Sequence, residues 1–145
     1  MFLISHRGNI NGANKNKENS PDYVYSALDK GFSVEIDVWL IEGEWFLGHD
    51  YHKYPIDFNF IKNDNFWLHA KNGCAFSELV RLNMKHVFYH TIEHWALTSS
   101  KFLWTFPTSK LYNNSICVKP ESREYDKKQK IAGICSDFIS HYENN

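Results

Sequence analysis

The sequence predicts an α/β fold built on a largely parallel sheet. Three observations point there: apolar runs of strand length recur along the whole chain, helix-like stretches stand between several of them, and no stretch has the composition of a linker. At 145 residues the chain makes a single domain. About two-thirds of the unfolded surface of such a chain is buried on folding, enough for a core without disulfides or structural metal.

Strands are expected at residues 2–5, 33–40, 66–70, 86–89, 102–105, 116–119 and 133–136, with a hairpin arm at 44–47. Between the first two runs, Ser20 offers an N-cap, Pro21 fits the first helical position and Asp22 places an acid in the first turn. Val24, Ala27 and Leu28 supply the apolar side of that helix and Gly31 its stop. A second helix is expected over 75–84, with Leu79, Val80 and Leu82 inward, and a third over 123–131. Segments 9–19 and 109–114, rich in Asn, Lys, Gly or Ser, read as loops.

Charge narrows the partners. Sixteen Lys and Arg against seventeen Asp and Glu leave a net charge of −1. The one basic cluster, Lys127 to Lys130, sits among Glu124 and Asp126 and reads as a solvated helix face. No nucleic-acid footprint is expected, since that needs clustered basic surface. Cys74, Cys117 and Cys135 are odd in number and widely spaced, which argues against a disulfide framework and for a reducing compartment. No stretch approaches the roughly 20 apolar residues of a membrane span, and a short apolar start runs straight into His6-Arg7 without signal-peptide features. A cytoplasmic protein is the expectation.

In the 33–40 run, Val34, Ile36 and Val38 alternate with Glu35 and Asp37, so the period of two places both carboxylates on one face. On an exposed antiparallel sheet they would simply be solvated. Facing the interior of a parallel barrel, two acids one pleat apart repel and lose hydration, and they need a cation. Hard oxygen ligands suit Mg²⁺, Ca²⁺ or Mn²⁺. The first strand delivers His6, Arg7 and Gly8 at its tip: a titratable ring, a phosphate-shaped fork and a residue that lets backbone approach a ligand. His49-Asp50 follows the hairpin. Residues 66–71 put Trp67, His69 and Lys71 on one face and Phe66, Leu68 and Ala70 on the other, although a lone strand-end lysine is ordinarily a snorkelling surface residue.

Taken in order, His6-Arg7, Glu35-x-Asp37, His49 and the strand-borne Lys71 resemble the glycerophosphodiester phosphodiesterase family, whose signature is H-R, E-x-D and H. Glu18-Asn19-Ser20 is similar to that family's P-E-N-[ST] segment, with Lys17 in place of the proline, and residues 133–137 are similar to its closing G-[IV]-x-[ST]-D strand. The resemblance is dense over residues 3–50 and thin beyond. It implies a TIM-type (β/α) barrel, reduced in helices, with the site at the C-terminal ends of the strands and metal-assisted hydrolysis of a phosphodiester. His6 and His49 inherit general acid and base roles, Arg7 and Lys71 charge stabilisation of the phosphoryl oxygens, and Glu35 and Asp37 metal ligation.

Two departures qualify the transfer. The family's third metal ligand is an acid two residues before the lysine, and here His69 stands there; Glu121 is the alternative source of a carboxylate. Mg²⁺ or Ca²⁺ is the expected ion, while an imidazole ligand shifts preference toward Mn²⁺ or Zn²⁺. The chain is also short, because a (β/α)₈ barrel takes about 250 residues and seldom fewer than about 200. An abbreviated barrel would leave an open cleft for a small or polymer-linked phosphodiester, and a homodimer could cover what missing helices expose. His90, Trp104, Lys119 and Asp137 are candidate cleft-lining residues, each with core packing, an ion pair or turn capping as its bland reading. A metal-free phosphodiester lyase of the phosphatidylinositol phospholipase C type, a noncatalytic phosphate-binding barrel module and an unrelated sugar-binding or isomerase barrel are the rival readings.

Overall fold

The computed structural model describes residues 1–122 and 128–143. All seven expected strands form: β1 (Phe2–His6), β2 (Ser33–Ile41), β5 (Phe66–Ala70), β6 (Val87–Phe88), β8 (Leu103–Thr105), β9 (Ser115–Val118) and β10 (Gly133–Ser136). They pair in parallel in the order β6-β5-β2-β1-β10-β9-β8. Three further strands are antiparallel: β3 (Glu44–Leu47) on β2, β4 (Tyr54–Ile56) on β3, and β7 (Trp95–Leu97) on β8.

Helix α1 (Pro21–Asp29) starts where Ser20-Pro21 places it, although Ser20 makes no side-chain cap bond. Helix α2 (Gly73–Arg81) begins two residues earlier than the apolar spacing indicates, because the Asn72 side chain accepts from the Ala75 N–H and caps it. The expected third helix falls partly on residues outside the described ones, and residues 128–131 form no helix.

The expectation of a TIM-type barrel is not met. The described residues form a mixed ten-stranded sheet curled into a half-barrel, with two α-helices among them where a (β/α)₈ barrel has eight. Helix α1 packs on β2 and helix α2 on β2, β5 and β6; among the described residues no α-helix follows β6.

Alternation sorts the side chains into two cores. On the convex side Val34, Ile36, Val38, Phe66, Leu68 and Ala70 pack with Val24 and Ala27 of α1 and Ala75 and Leu79 of α2. On the concave side Ile4, Trp67, Phe88, Trp104, Ile116, Val118 and Cys135 fill the curl. Phe88 and Trp104 lie 4.5 Å apart between ring centroids, so the face is packed by aromatics instead of being an open channel. Both carboxylates of β2 point to this concave side.

Candidate active site

Strand register assembles the site. Parallel pairing sets His6 beside Glu35 and Asp37 beside His69, and the β1–β10 ladder carries Asp137 up to His6. Glu35, Asp37 and His69 are all buried, and one ligand atom from each lies within 4.8 Å of the others.

Asp37 is the hub of the cluster. Its Oδ2 lies 2.9 Å from Arg7 Nε, and its Oδ1 lies 3.1 Å from His69 Nδ1 and 3.3 Å from Lys71 Nζ. Asn19 Nδ2 donates to Oδ2 at 2.8 Å, and the Asp37 N–H donates back to Asn19 Oδ1 at 2.9 Å. Burial alone would push this carboxyl up, but His69, Arg7 and Lys71 hold it well below the usual carboxylate range. The same attraction acts on its partner: burial works against a charged His69, and the carboxylates of Asp37 and Glu35 outweigh it and raise its pKa.

Glu35 is held more loosely, 3.7 Å from His69 Nδ1 and 3.9 Å from His6 Nε2. Its Oε2 is buried without a hydrogen-bond partner, while Asp37 Oδ1 meets only the ion-pair contacts of His69 and Lys71. Buried carboxylate oxygens converging beside an imidazole, one of them unpartnered, are the donor set a divalent ion takes, so these three residues fit a metal.

His6 belongs to a second constellation that shares Glu35 with the first. Its Nδ1 lies 2.7 Å from Asp137 Oδ1, and because a carboxylate only accepts, Nδ1 carries a proton there, leaving Nε2 as the ring nitrogen that faces Glu35. Asn9 Nδ2 also donates to Asp137 Oδ1, at 2.8 Å, and Lys119 Nζ reaches Oδ2 at 3.0 Å. Burial would raise the Asp137 pKa; His6, Asn9 and Lys119 together lower it strongly.

The loop of residues 9–19 supplies more than its composition suggests. Glu18 accepts from Arg7 Nη1 at 3.2 Å and from Asn9 Nδ2 at 3.0 Å, fixing the guanidinium between two acids. Asn9 and Asn19 were legible only as loop residues, Asn19 with Glu18 in a family-like segment; their roles come from where the loop doubles back. Gly8 permits that return: at φ +90° it lies against Tyr23, and a Cβ there would come within 2.7 Å of the ring.

Other expected site residues are placed differently. Glu121 is taken up at the end of β10, accepting from the Ser136 hydroxyl at 2.9 Å and the Asp137 N–H at 3.0 Å, and it is not part of the Glu35-Asp37-His69 cluster. Lys119 pairs with Asp137, not with Glu121. Trp104 is 3% exposed and packs in the concave core instead of lining a cleft. His90 stacks on His69 with centroids 4.7 Å apart and rings nearly parallel, its Nδ1 buried without a partner, and burial beside His69 lowers its pKa to about 4.

His49 stands apart from His6. Its ring is partly exposed, paired with Asp50 at 2.7 Å, and it lines a cavity of about 300 Å³ into which Arg7 also opens. A larger apolar groove of about 560 Å³, between α2 and residues 97–101, contains none of these groups. Among the described residues no helix is long and apolar enough to cross a membrane. Comparison with protein-family models, curated proteins and solved structures finds no match, so the likeness to glycerophosphodiester phosphodiesterases rests on the motif residues alone.

Proposed function

We propose that this site hydrolyses a phosphodiester with the help of a divalent metal ion, as the glycerophosphodiester phosphodiesterase resemblance implies. The observation that carries the reading is the convergence of Glu35, Asp37 and His69, with the buried Glu35 Oε2 left without a hydrogen-bond partner, next to an imidazole whose Nδ1 is tied to Asp137. When bound, the ion supplies Lewis-acid polarisation of a phosphoryl oxygen. Arg7 and Lys71, already drawn to Asp37, add positive potential where the charge of the transition state grows. His6 takes the proton of the attacking hydroxyl at Nε2, and Asp137 stabilises the imidazolium that results. His49, on the wall of the adjoining cavity, returns a proton to the departing oxygen.

The second reading is a metal-free phosphodiester lyase. It is favoured by the three cations that already surround Asp37 within 3.3 Å. A protonated His69 and a metal ion are alternative companions for the same two carboxylates. Hydrolysis of bis(p-nitrophenyl) phosphate and of glycerophosphodiesters, with and without chelator, by wild type, His6→Ala and His49→Ala decides. Chelator-sensitive activity lost in both variants, with folding retained, is expected. Activity that survives chelator and releases a cyclic phosphate favours the lyase, and activity untouched by either substitution removes the acid/base assignment.

A further inference from the structure

The cavity beside Arg7 has a feature that the chemistry above does not use. Lys15 and Lys53 both line it, and neither makes an ion pair with a carboxylate among the described residues. The two acids that share the cavity are engaged elsewhere: Glu18 accepts from Arg7 and Asn9, and Asp50 pairs with His49. Uncompensated positive charge therefore remains on the cavity wall beyond the phosphoryl-binding arginine.

The wall is built, not accidental. Gly48 at φ +146° lets the chain fold so tightly that a Cβ would lie 2.1 Å from the Tyr51 carbonyl, and the Lys53 N–H donates to the Leu47 carbonyl at 2.9 Å. Lys53 Nζ then rests 4.7 Å from the centre of the Tyr54 ring. Tyr54 Oη donates to the Asn16 carbonyl at 3.4 Å, tying the loop that carries Lys53 to the loop that carries Lys15. Lys15 and Lys53 thereby line one cavity from two loops that Tyr54 ties together.

We propose that this cavity holds the part of the substrate beyond the scissile phosphate and selects phosphodiesters that carry a second anionic group, a carboxylate or a phosphate. The proposal rests on the phosphodiesterase reading for its chemistry and adds a substrate class to it. A volume of about 300 Å³, lined mainly by polar and charged side chains, suits a short polar moiety.

The test compares three p-nitrophenyl phosphodiesters: the propyl ester, the 2-carboxyethyl ester of nearly the same shape, and the 2-phosphonooxyethyl ester. Wild type should prefer the charged esters in kcat/KM. In the Lys15→Gln/Lys53→Gln double variant the ratio of carboxyethyl to propyl kcat/KM should fall about three- to tenfold, the effect of losing two exposed charge pairs. That ratio should also shrink with added salt. A larger preference for the phosphonooxyethyl ester assigns phosphate as the second anion, and a larger one for carboxyethyl assigns a carboxylate. A wild-type ratio near one, or a ratio unchanged in the double variant, overturns the proposal. If wild type hydrolyses none of the esters, the phosphodiesterase reading fails. Calorimetric binding of 2-carboxyethyl and propyl methylphosphonate then decides for the cavity: charge-dependent binding lost in the double variant upholds it, and equal or absent binding rejects it.

Discussion

Glu35→Gln separates the metal reading from the metal-free one, because the two assign opposite values to the same charge. The side chain is 2% exposed, its Oε2 has no hydrogen-bond partner, and the nearest imidazole nitrogens, of His69 and His6, stand 3.7 and 3.9 Å away. A buried polar group left unsatisfied costs about 1–3 kcal/mol, and more when it is charged. Without metal, the neutral isostere should therefore be as stable as wild type or up to about 2 kcal/mol more stable. At roughly 2–4 °C per kcal/mol for a chain near this size, that is a rise in Tm of up to about 8 °C. With a divalent ion at a hundred times its Kd, wild type gains about 2.7 kcal/mol, or roughly 5–11 °C, and the variant, one ligand short, loses most of that gain. The order of melting temperatures should invert between the two conditions. Thermal melts followed by circular dichroism, in chelator and in titrations of Mg²⁺, Ca²⁺ and Mn²⁺, read this directly. A variant melting several degrees below wild type in chelator would refute the argument, since Glu35 would then be stabilising by ion pairing alone. Indifference of wild type to all three ions would do the same.

Asp137→Asn keeps a group beside His6 Nδ1 but removes the charge that stabilises the imidazolium. It should lower kcat about 100-fold with little change in KM, whereas Lys119→Met, whose side chain is 39% exposed, should cost under about threefold. Gly48→Ala drives a Cβ against the Tyr51 carbonyl at a left-handed φ, and urea titration should show a loss of at least about 1–3 kcal/mol from backbone strain alone. Trp104→Ala empties a ring site between Phe88 and Trp67, and should cost about 3–5 kcal/mol in the same assay. Acid stability follows from Asp37 and Asp137, whose folded pKa values are depressed. Their contribution is complete above the unfolded value of about 4 and is lost as pH falls from there through the folded values, because the unfolded chain takes up protons first. Melts should show Tm holding from pH 7 to about 5 and dropping below about 4, with a shallower drop in Asp137→Asn.

The parallel strands were legible because burial on both faces writes them as short apolar runs, and the acids of β2 stood out because they break the run at every second position. That alternation also carried the concave placement of Glu35, Asp37 and His69. β4 and β7 escaped detection for the converse reason. Each is three residues long, β4 holds Pro55, and β7 exposes Trp95 and Leu97, so neither has an alternation to read. The TIM-type barrel, reduced in helices, was an inference from family likeness, and the length of 145 residues already opposed a full one. Aromatic packing across the curl takes over the work that outer helices and ring closure perform in a full barrel. The His6–Asp137 pair was half legible: both residues ended candidate strands, but only the pairing of the first strand with the last joins positions 131 residues apart. Asn9, Glu18 and Asn19 could not be ranked from composition, since their roles depend on the path of a loop.

Backbone strain recurs beside the two acids at the centre of the site. Arg7, Asn19 and Lys119 are three of seven non-glycine residues with left-handed φ among those described, at +56°, +62° and +53°. Each such conformation costs of order 1–3 kcal/mol and persists only where surroundings over-determine it. Here the backbone pins all three: the Arg7 N–H donates to the Glu35 carbonyl, the Asn19 N–H to the Arg7 carbonyl, and the Lys119 N–H to the Cys135 carbonyl. The side chains so aimed converge on two acids, Arg7 and Asn19 on Asp37, and Lys119 on Asp137. A surface that merely solvated its carboxylates would have no use for strained donors, since water satisfies an acid without backbone distortion. Strain directed at Asp37 and Asp137, above an aromatic floor that excludes solvent from one side, instead holds charge in fixed geometry, which is what stabilisation of a developing phosphoryl charge requires.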